Sequence, residues 1–563
     1  MNQLYYGDNL LVLRDQIADE SVDLIYLDPP FNSKRDYNLL FKSPKGAQPS
    51  SVASPAGGLG YSAAQIEAFL DTWHWTQEVT EREYEDVLKQ KNTDVAQMMK
   101  ALVGFLGRND MTAYLVMMAG RLLELHRVLK PTGSLYLHCD PTASHYLKIV
   151  LDAVFGKTMF KNDIVWKRAS AHNDPSRCGN IHDDLFFYTK GDTYTWNRVF
   201  TPYTQQYIDA EFTKLPSGRF YKAENMLDPR NSMAEYDFMG TVARWRTNHD
   251  GMMELWNAPQ TEVPNSHGRI KLGKNGKPTK RCRIFFLDDL PGVPLQSIWD
   301  DVISLRGGSD ERLGYPTQKP LALLERIIAA SSNAGDVVLD PFCGCGTAVH
   351  AAQKLKRQWI GIDITCLAIA LIESRLKKAF PESRDPRDPR RLEFDVIGTP
   401  KDLESARDLA RRDKYQFQYW ALSLIDEAQP WQGKKKGADT GIDGVRYFRD
   451  LDRKEIHTIL ISVKGGESVG PAMVKDLIAT LSRDKADIGL FLTLAPPTKA
   501  MLTEAAAAGF YESPNGKKYA RLQLLTIEGL LDKTQRAEHP DYEPDTGYKK
   551  ARAEAHGEQP KLL

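Results

Sequence analysis

Several common signals are missing from this 563-residue sequence. Lys plus Arg and Asp plus Glu each number 74, so the formal net charge is zero. That balance argues against a polycation that coats nucleic acid uniformly, although it permits local basic patches. None of the six cysteines forms a CxxC pair, so we expect neither a disulfide framework nor structural zinc. No apolar run reaches about 18 residues and no signal-peptide pattern opens the chain, so we expect a cytoplasmic protein with no membrane partner.

The composition is that of a globular chain with several folding units. Hydrophobic residues make up 42% and charged residues 26%, which is enough apolar material for more than one core. At roughly 150 residues per domain, the length predicts three to four units. Residues 43–60, rich in Ser, Pro, Ala and Gly, predict a surface loop that is either a tolerated insertion or a lid, and 536–563 predicts a polar tail.

Apolar patterning predicts an α/β fold with an insertion and a second domain. Residues 22–28 are typical of a buried strand, and a helical pattern over 115–129 leads into another strand at 133–140. This first core segment, 1–160, is followed at 161–305 by short aromatic-rich pieces without helical period, which predict a mostly β insertion. A βαβ succession at 306–398 resumes the core, and a further α/β unit follows at 399–535.

A tight turn follows a strand in the second core segment. Asp340 closes the strand and precedes PFCGCGT, where small residues allow a sharp turn and the next helix offers unpaired N–H groups. Asp363 ends the next strand, a usual place for a carboxylate that binds ribose hydroxyls. Gly344 and Gly346 do not complete G-x-G-x-x-G, which disfavours a dinucleotide and favours a nucleoside cofactor without a pyrophosphate. Asp340 is a candidate for cofactor binding, and the alternative is a structural role at the end of its strand.

The order of these motifs resembles the beta-class S-adenosylmethionine-dependent DNA amino-methyltransferases. The resemblance covers 1–395 and rests on Tyr6-Gly7-Asp8-Asn9, Asp28-Pro29-Pro30-Phe31, Tyr315-Pro316-Thr317-Gln318-Lys319-Pro320, DPFCGCGT at 340–347 and Ile362-Asp363. It implies a Rossmann-like methyltransferase core whose mostly β insertion is the target-recognition region. It also implies S-adenosyl-L-methionine as cofactor and double-stranded DNA as partner.

The same resemblance assigns roles around the cofactor. Thr317 and Lys319 would lie by the methionine carboxylate, and Asp363 would hold the ribose. Asp8 would lie by the adenine amine of the cofactor. The alternative for Asp8 is a structural role in a turn or helix cap. The glycine loop and its phenylalanine would wrap the cofactor. The full implied set is Asp8, Thr317, Lys319, Asp340, Phe342, Gly344, Gly346 and Asp363.

The tetrapeptide Asp28-Pro29-Pro30-Phe31 has the groups that amine methylation requires. An exocyclic base amine is a poor nucleophile because its lone pair is delocalised into the ring, so the site must accept both N–H groups. The Asp28 carboxylate and a backbone carbonyl fixed by two prolines supply those acceptors, and Phe31 offers a face for a flipped base. With aspartate in first position, the tetrapeptide resembles the motif of adenine-N6 enzymes more than that of cytosine-N4 enzymes. Cytosine N4 remains the alternative target.

Seven cations and no acid lie between Val263 and Leu287. Asn275-Gly276 near their centre is typical of a hairpin turn, which predicts a basic two-stranded ribbon that enters a major groove or follows phosphates. A solvated hairpin without a partner is the alternative. The candidate DNA-binding residues are Arg269, Lys271, Lys274, Lys277, Lys280, Arg281 and Arg283.

Residues 399–535 resemble the Mrr-like branch of the PD-(D/E)xK nucleases, through GADTGIDG at 437–444 and ISVKG at 461–465. In that superfamily an aspartate and a following acid hold a divalent cation while a lysine orients water or stabilises charge. Asp443 and Lys464 match, but Ser462 replaces the following acid or glutamine and Gln418 stands for the upstream glutamate. A working nuclease with Mg²⁺ on Asp443 and an inactive DNA-binding relic are both possible.

Three hypotheses follow from the sequence. The leading one is a DNA adenine-N6 methyltransferase that carries a nuclease-like domain. The second is a bifunctional restriction-modification enzyme that also cleaves DNA with Mg²⁺, and the third is a catalytically silent DNA-binding defence module. A homodimer or a separate restriction subunit is the expected protein partner.

Overall fold

The computed structural model describes residues 2–30, 36–42, 63–70, 75, 79–90, 92–170, 176–230, 232–305, 309, 311–313, 315, 317–380, 392–431, 441–450 and 455–540. Phe31, the expected loop 43–60 and residues 541–563 of the expected tail lie outside these ranges. The described residues form two compact units, one built from those up to 197 and from 297 onward, the other from 198–296. No helix in the described ranges is long and apolar enough to cross a bilayer.

A nine-stranded sheet forms the core of the first unit. In spatial order its strands are Ile298–Trp299, Phe160–Lys167, His182–Thr189, Leu129–Cys139, Val22–Leu27, Val337–Asp340, Gln358–Asp363, Asn2–Tyr6 and Phe394–Ile397. All neighbours run parallel except His182–Thr189, which is antiparallel to both of its neighbours. Because Val22–Leu27 pairs directly with Val337–Asp340, the two expected core segments form one Rossmann-like sheet, as predicted from the sequence.

Eight α-helices accompany this sheet in the described ranges. The helix Asp110–Val128 is buried along most of its length, so it packs in the main apolar cluster with strand residues such as Leu27 and Leu135. A 3₁₀ turn spans Lys157–Met159, and the strands Asp36–Lys42 and Ala63–Leu70 form an antiparallel pair. The helices are Asn9–Gln16, Val79–Lys89, Thr93–Leu106, Asp110–Val128, Ser144–Phe155, Leu321–Ser331, Thr347–Lys354 and Cys366–Ala379.

The second unit is mostly β. Its five-stranded sheet has the order Ser266–His267, Ile270–Leu272, Pro278–Phe286, Phe220–Asn225 and Thr213–Lys214. Two strand pairs join Phe200–Thr201 to Val293–Pro294 and Tyr236–Phe238 to Thr241–Ala243. The helices Gln205–Glu211 and His249–Asn257 and the 3₁₀ turn Leu287–Asp289 complete it. Phe238 and Trp245 are fully buried in its small core.

This unit is shorter than the insertion expected over 161–305. The strands Phe160–Lys167, His182–Thr189 and Ile298–Trp299 belong to the edge of the core sheet instead. Their aromatic residues look like those of a separate β domain in sequence, yet Trp166 is buried and its indole N–H donates to the Val302 carbonyl at 2.9 Å. The compact second unit therefore begins near residue 198.

The C-terminal α/β domain belongs to the first unit. Its sheet has the order Gln429–Pro430, Gly444–Arg449, Ile456–Lys464, Ile488–Thr493 and Leu522–Thr526, and a hairpin joins Phe510–Glu512 to Lys518–Ala520. Its helices are Leu403–Arg412, Lys414–Ser423, Pro471–Arg483, Lys499–Ala507 and Ile527–Leu531. Gln416 accepts a hydrogen bond from the Cys366 N–H at 2.9 Å, so this domain packs directly on the core.

Candidate functional site

A cavity of about 250 Å³ opens in the first unit. It lies where the neighbouring parallel strands Val22–Leu27, Val337–Asp340 and Gln358–Asp363 end, which is where doubly wound sheets bind ligands. Its lining brings together candidate residues that are far apart in the chain. These are Asp8, Asp28, Pro29, Pro30, Thr317, Lys319, Asp340, Phe342, Gly344 and Asp363.

Asp28 has two carboxylate oxygens in different environments. Oδ2 lies 2.5 Å from Nζ of Lys319, in an ion pair whose side chains are only 15% and 10% exposed. Oδ1 is buried and has no hydrogen-bond partner in the part of the chain that the structure describes. A buried acceptor without a partner costs free energy unless a ligand satisfies it. Asp28 therefore lines the cavity with one carboxylate oxygen that is not bound to another group of the described protein.

The turn after Asp340 is held in a conformation that side chains rarely adopt. Gly344 and Gly346 have φ angles of +49° and +73°. A Cβ at Gly344 would lie 3.2 Å from the Tyr315 ring, and one at Gly346 would lie 2.8 Å from Ile372. Only glycine fits both positions without displacing a neighbour. Gly346 does not line the cavity itself but begins the helix Thr347–Lys354 beneath it.

Two strand-end carboxylates organise this turn. Oδ1 of Asp340 accepts the Phe342 N–H at 3.1 Å, and burial raises the pKa of Asp340 well above its ordinary value. Asp363 accepts the Gly344 N–H at 2.9 Å and the Thr365 N–H at 2.9 Å. Burial raises the pKa of Asp363 to about 6. The two carboxylates shape the loop while they face the cavity.

Asp8 also lines the cavity, but its oxygens have structural partners. Oδ1 accepts the N–H groups of Leu10 and Leu11 and so caps the helix Asn9–Gln16. Oδ2 pairs with Arg121 at 2.9 Å. The cap role that the sequence left open for Asp8 is therefore present, alongside its position at the cavity wall.

Arg375 is a buried residue of this site that the sequence patterns did not indicate. From the helix Cys366–Ala379 its guanidinium donates to the Cys345 carbonyl at 2.9 Å, the Thr347 hydroxyl at 3.1 Å and His350 Nδ1 at 3.1 Å. These hydrogen bonds stabilise the glycine loop and the first turn of the helix that follows it. An arginine on the apolar face of a helix is the signal that could have identified it.

A buried polar chain also reaches the cavity through Tyr26. Its hydroxyl lies 2.9 Å from His138 Nδ1, and His138 Nε2 lies 3.2 Å from Asp183 Oδ2. Arg168 pairs with the other oxygen of Asp183 at 2.8 Å. Burial would raise the pKa of Asp183, but the His138 hydrogen bond and nearby positive charges lower it, so the carboxylate stays ionised. The chain fixes the Tyr26 side chain beside the cavity.

The basic hairpin of the second unit is present but belongs to a larger sheet. The strands Ile270–Leu272 and Pro278–Phe286 pair antiparallel around Asn275-Gly276, within five strands rather than as a free ribbon. Arg269 is paired with Asp289 at 2.7 Å, and Lys271 donates to the Tyr221 hydroxyl at 2.9 Å. The other predicted cations are exposed and have no carboxylate partner among the described residues. They are Lys274, Lys277, Lys280, Arg281 and Arg283.

The candidate nuclease residues lie together at one end of the C-terminal sheet. Asp443 precedes the strand Gly444–Arg449, and its Oδ2 accepts the Val463 N–H at 2.7 Å. Lys464 ends the neighbouring strand, two residues after the buried Ser462, whose hydroxyl donates to the Gly441 carbonyl. No cluster of three or more metal-ligating side chains occurs within the ranges that the structure describes. Asp443 and Lys464 thus lie at the same end of neighbouring strands, and Ser462 stands where the superfamily pattern has an acid or glutamine.

The doubly wound sheet and its cavity define a Rossmann-like α/β enzyme. A glycine loop suited to a cofactor lies beside the Asp28 carboxylate, which is suited to catalysis. The family described as DNA methylase matches residues 22–373, and the chain belongs to that family. The family described as restriction endonuclease matches residues 409–529, so the C-terminal domain is restriction-endonuclease-like. Both family assignments confirm the resemblances identified from the sequence.

The chain is also similar to individual relatives and to a solved structure. The DNA adenine methyltransferase YhdJ of Escherichia coli K12 is 47% identical over 378 residues, which are 67% of this chain and 83% of that one. The type II methyltransferase M.EcaI of Enterobacter cloacae is 26% identical over 66% of this chain and 69% of its own length. A solved M1.HpyAVI–SAM complex is 16% identical with a TM-score of 0.30, over 67% of this chain and 99% of that one.

Proposed function

We propose that this protein transfers a methyl group from S-adenosyl-L-methionine to the exocyclic amine of a base flipped out of double-stranded DNA, with adenine N6 as the target. The observation that carries the proposal is Asp28, which lines the cavity and whose buried Oδ1 has no hydrogen-bond partner among the described residues. Family membership supports DNA as the substrate. The aspartate in first position and the adenine methyltransferase at 47% identity favour adenine over cytosine.

Asp28 and the proline carbonyls would act on the amine. The free carboxylate oxygen accepts one N–H, and a backbone carbonyl at Pro29 or Pro30 accepts the other, which favours a pyramidal nitrogen with a localised lone pair. The carboxylate also stabilises the positive charge that develops on nitrogen. The target must leave the duplex because its amine is otherwise inaccessible, and Phe31 is proposed to stack on the flipped base.

The cofactor would occupy the side of the cavity formed by the glycine loop. S-adenosyl-L-methionine supplies an electrophilic methyl group when bound. Asp363 would accept from ribose hydroxyls, Thr317 would lie by the methionine carboxylate, and Asp8 would lie by the adenine amine while it caps its helix. A Cβ at Gly344 would lie 3.2 Å from the Tyr315 ring, so glycine lets the loop backbone pack closely against that ring at the cavity wall. Asp340, Phe342 and Gly346 would complete the binding loop.

Incubation of the purified protein with unmethylated DNA and tritiated S-adenosylmethionine tests the proposal. We expect label in DNA, and nucleoside analysis should identify N6-methyladenine. N4-methylcytosine in its place would overturn the choice of base, and absence of label from DNA would overturn the activity. Long-read sequencing of DNA from expressing cells would report the modified site.

We also propose that residues 198–296 form the target-recognition region. Five exposed cations on one hairpin, without carboxylate partners in the described ranges, support this role, because such side chains bind phosphates and guanine edges. Arg269 and Lys271 were candidates too, but each already has a partner within the unit. A cytoplasmic location and a homodimer or separate restriction subunit stay predictions.

A second candidate function is Mg²⁺-dependent DNA cleavage by the C-terminal domain. The match to the restriction endonuclease family and the placement of Asp443 beside the strand that ends at Lys464 favour it. The serine at 462 leaves one fewer acidic ligand than the superfamily pattern, which weakens a metal site. Plasmid cleavage with and without Mg²⁺ tests this function directly.

A further inference from the structure

We propose that Lys319 is a positioning residue for Asp28, which holds one carboxylate oxygen so that the other remains free for the target amine. The inference rests on the proposed methyl transfer and adds a residue to it. It assigns Lys319 to the catalytic carboxylate rather than to the methionine carboxylate of the cofactor, where the sequence motif placed it.

The geometry of the pair supports this role. Nζ of Lys319 lies 2.5 Å from Oδ2 of Asp28, and little of either side chain is exposed. A charge-assisted hydrogen bond is strong where water is excluded, so it restricts rotation of the carboxylate. Oδ1 is left buried and without a partner among the described residues. The lysine therefore separates the two oxygens into one that is anchored and one that can bind substrate.

The loop before the helix Leu321–Ser331 fixes the position of Lys319. The Gln318 side chain accepts the Leu313 N–H at 2.7 Å and donates to the Glu311 carbonyl at 2.8 Å. Glu311 in turn accepts the Leu321 N–H at 2.6 Å at the start of the helix. Lys319 therefore lies between Gln318 and Leu321, both of which are held by these hydrogen bonds. These hydrogen bonds fix the backbone from which the Lys319 side chain extends to Asp28.

Charge in the cavity also favours pairing with Asp28. Lys319 lies in a group of buried carboxylates, and its positive charge acts on Asp340 and Asp183 as well. A buried carboxylate without a counter-charge is costly, so removal of the ammonium would leave Asp28 free to rotate or to find another donor. The pair joins residues that are 291 positions apart in the chain.

Kinetics of Lys319→Met separate the two assignments of this lysine. We expect kcat for methyl transfer to fall about 100-fold, since a misplaced catalytic group costs that much. The Kd for S-adenosylmethionine, measured by calorimetry, should stay within about twofold because the cofactor is held by other residues. A raised Kd with kcat retained would overturn the inference. Lys377→Met, on an exposed residue, is the matched control and should change neither quantity.

Two further variants test whether the residues act as a unit. Asp28→Asn with Lys319→Met should be no slower than Asp28→Asn alone, because a lysine cannot position a carboxylate that is absent. Lys319→Arg should recover part of the lost kcat. Fully additive losses would overturn the inference. Absence of transfer by the wild type would overturn the proposed function itself, whereas an active wild type with an equally active Lys319→Met would overturn only the role of Lys319.

Discussion

The Oδ2 atom of Asp363 accepts a hydrogen bond from the backbone N–H of Gly344 at 2.9 Å, which joins the end of one core strand to the glycine loop of its neighbour. Burial raises the pKa of this carboxyl from 3.8 to about 6. The ionised form is the one that accepts hydrogen bonds on both oxygens, from the loop and from a ribose.

Cofactor affinity should therefore depend on pH near 6. Protonation below the pKa removes acceptor capacity, so we expect binding of S-adenosylmethionine to weaken about tenfold between pH 7 and pH 5. Calorimetric titration across this pH range measures the affinity for S-adenosylmethionine. In Asp363→Asn the affinity should be weaker throughout and nearly independent of pH. An unchanged pH dependence in that variant would assign the titration to another group.

Asp28→Ala should strongly reduce methyl transfer and leave the cofactor bound. Loss of the acceptor for the amine N–H and for the developing charge predicts a fall in kcat of about 1,000-fold. Tritium transfer and calorimetry measure the two quantities on the same preparation. Asp402→Asn, at a helix cap of the C-terminal domain, is the control with unaltered transfer. Loss of both cofactor binding and transfer in Asp28→Ala would refute the assigned role.

Arg375→Leu should destabilise the core and loosen the glycine loop. The substitution leaves the buried acceptors at Cys345, Thr347 and His350 without their donor, which predicts a loss of about 3 kcal/mol in the free energy of unfolding. Urea unfolding and cofactor titration should show both effects. Arg375→Lys should not restore either, because an ammonium cannot reach three acceptors in the guanidinium geometry. Full recovery by lysine would show that charge alone matters.

Replacement of the exposed cations Lys280, Arg281 and Arg283 by alanine should weaken DNA binding. If they bind phosphates, the slope of log K against log salt should decrease in magnitude by about one for each phosphate that is no longer neutralised. Fluorescence anisotropy at several salt concentrations measures this slope. Arg269→Ala should have a smaller effect, since Asp289 already neutralises that side chain. An unaltered slope in the triple variant would place the DNA interface elsewhere.

Any Mg²⁺-dependent cleavage should disappear in Asp443→Ala and in Lys464→Ala, with methyl transfer retained in both. Ser462→Asp should add the missing acidic ligand beside Asp443, so Mg²⁺ should raise the melting temperature of that variant more than that of the wild type. A thermal-shift assay with and without Mg²⁺ measures this difference in melting temperature. Cutting that persists in both alanine variants would exclude this site as the source.

Local patterns were sufficient to predict much of the architecture. The apolar run at 22–28 contains the strand Val22–Leu27, and Asp340 closes the strand Val337–Asp340. Asp28 and Asp340 meet at one cavity because parallel strands end at the same sheet edge. The hairpin at Asn275-Gly276 also follows from turn chemistry that operates over a few residues. The order of motifs was enough to identify the family.

The segments that form the core, the loop and the hairpin could be predicted from the sequence alone, because periodicity, glycine and proline act locally. Which charged side chains meet depends on the three-dimensional fold. The pairing of Lys319 with Asp28, the support of the loop by Arg375 and the start of the second unit near 198 depend on interactions between distant segments. Burial then sets the ionisation of Asp363, because the cost of a charge depends on the surrounding protein and not on its neighbours in sequence.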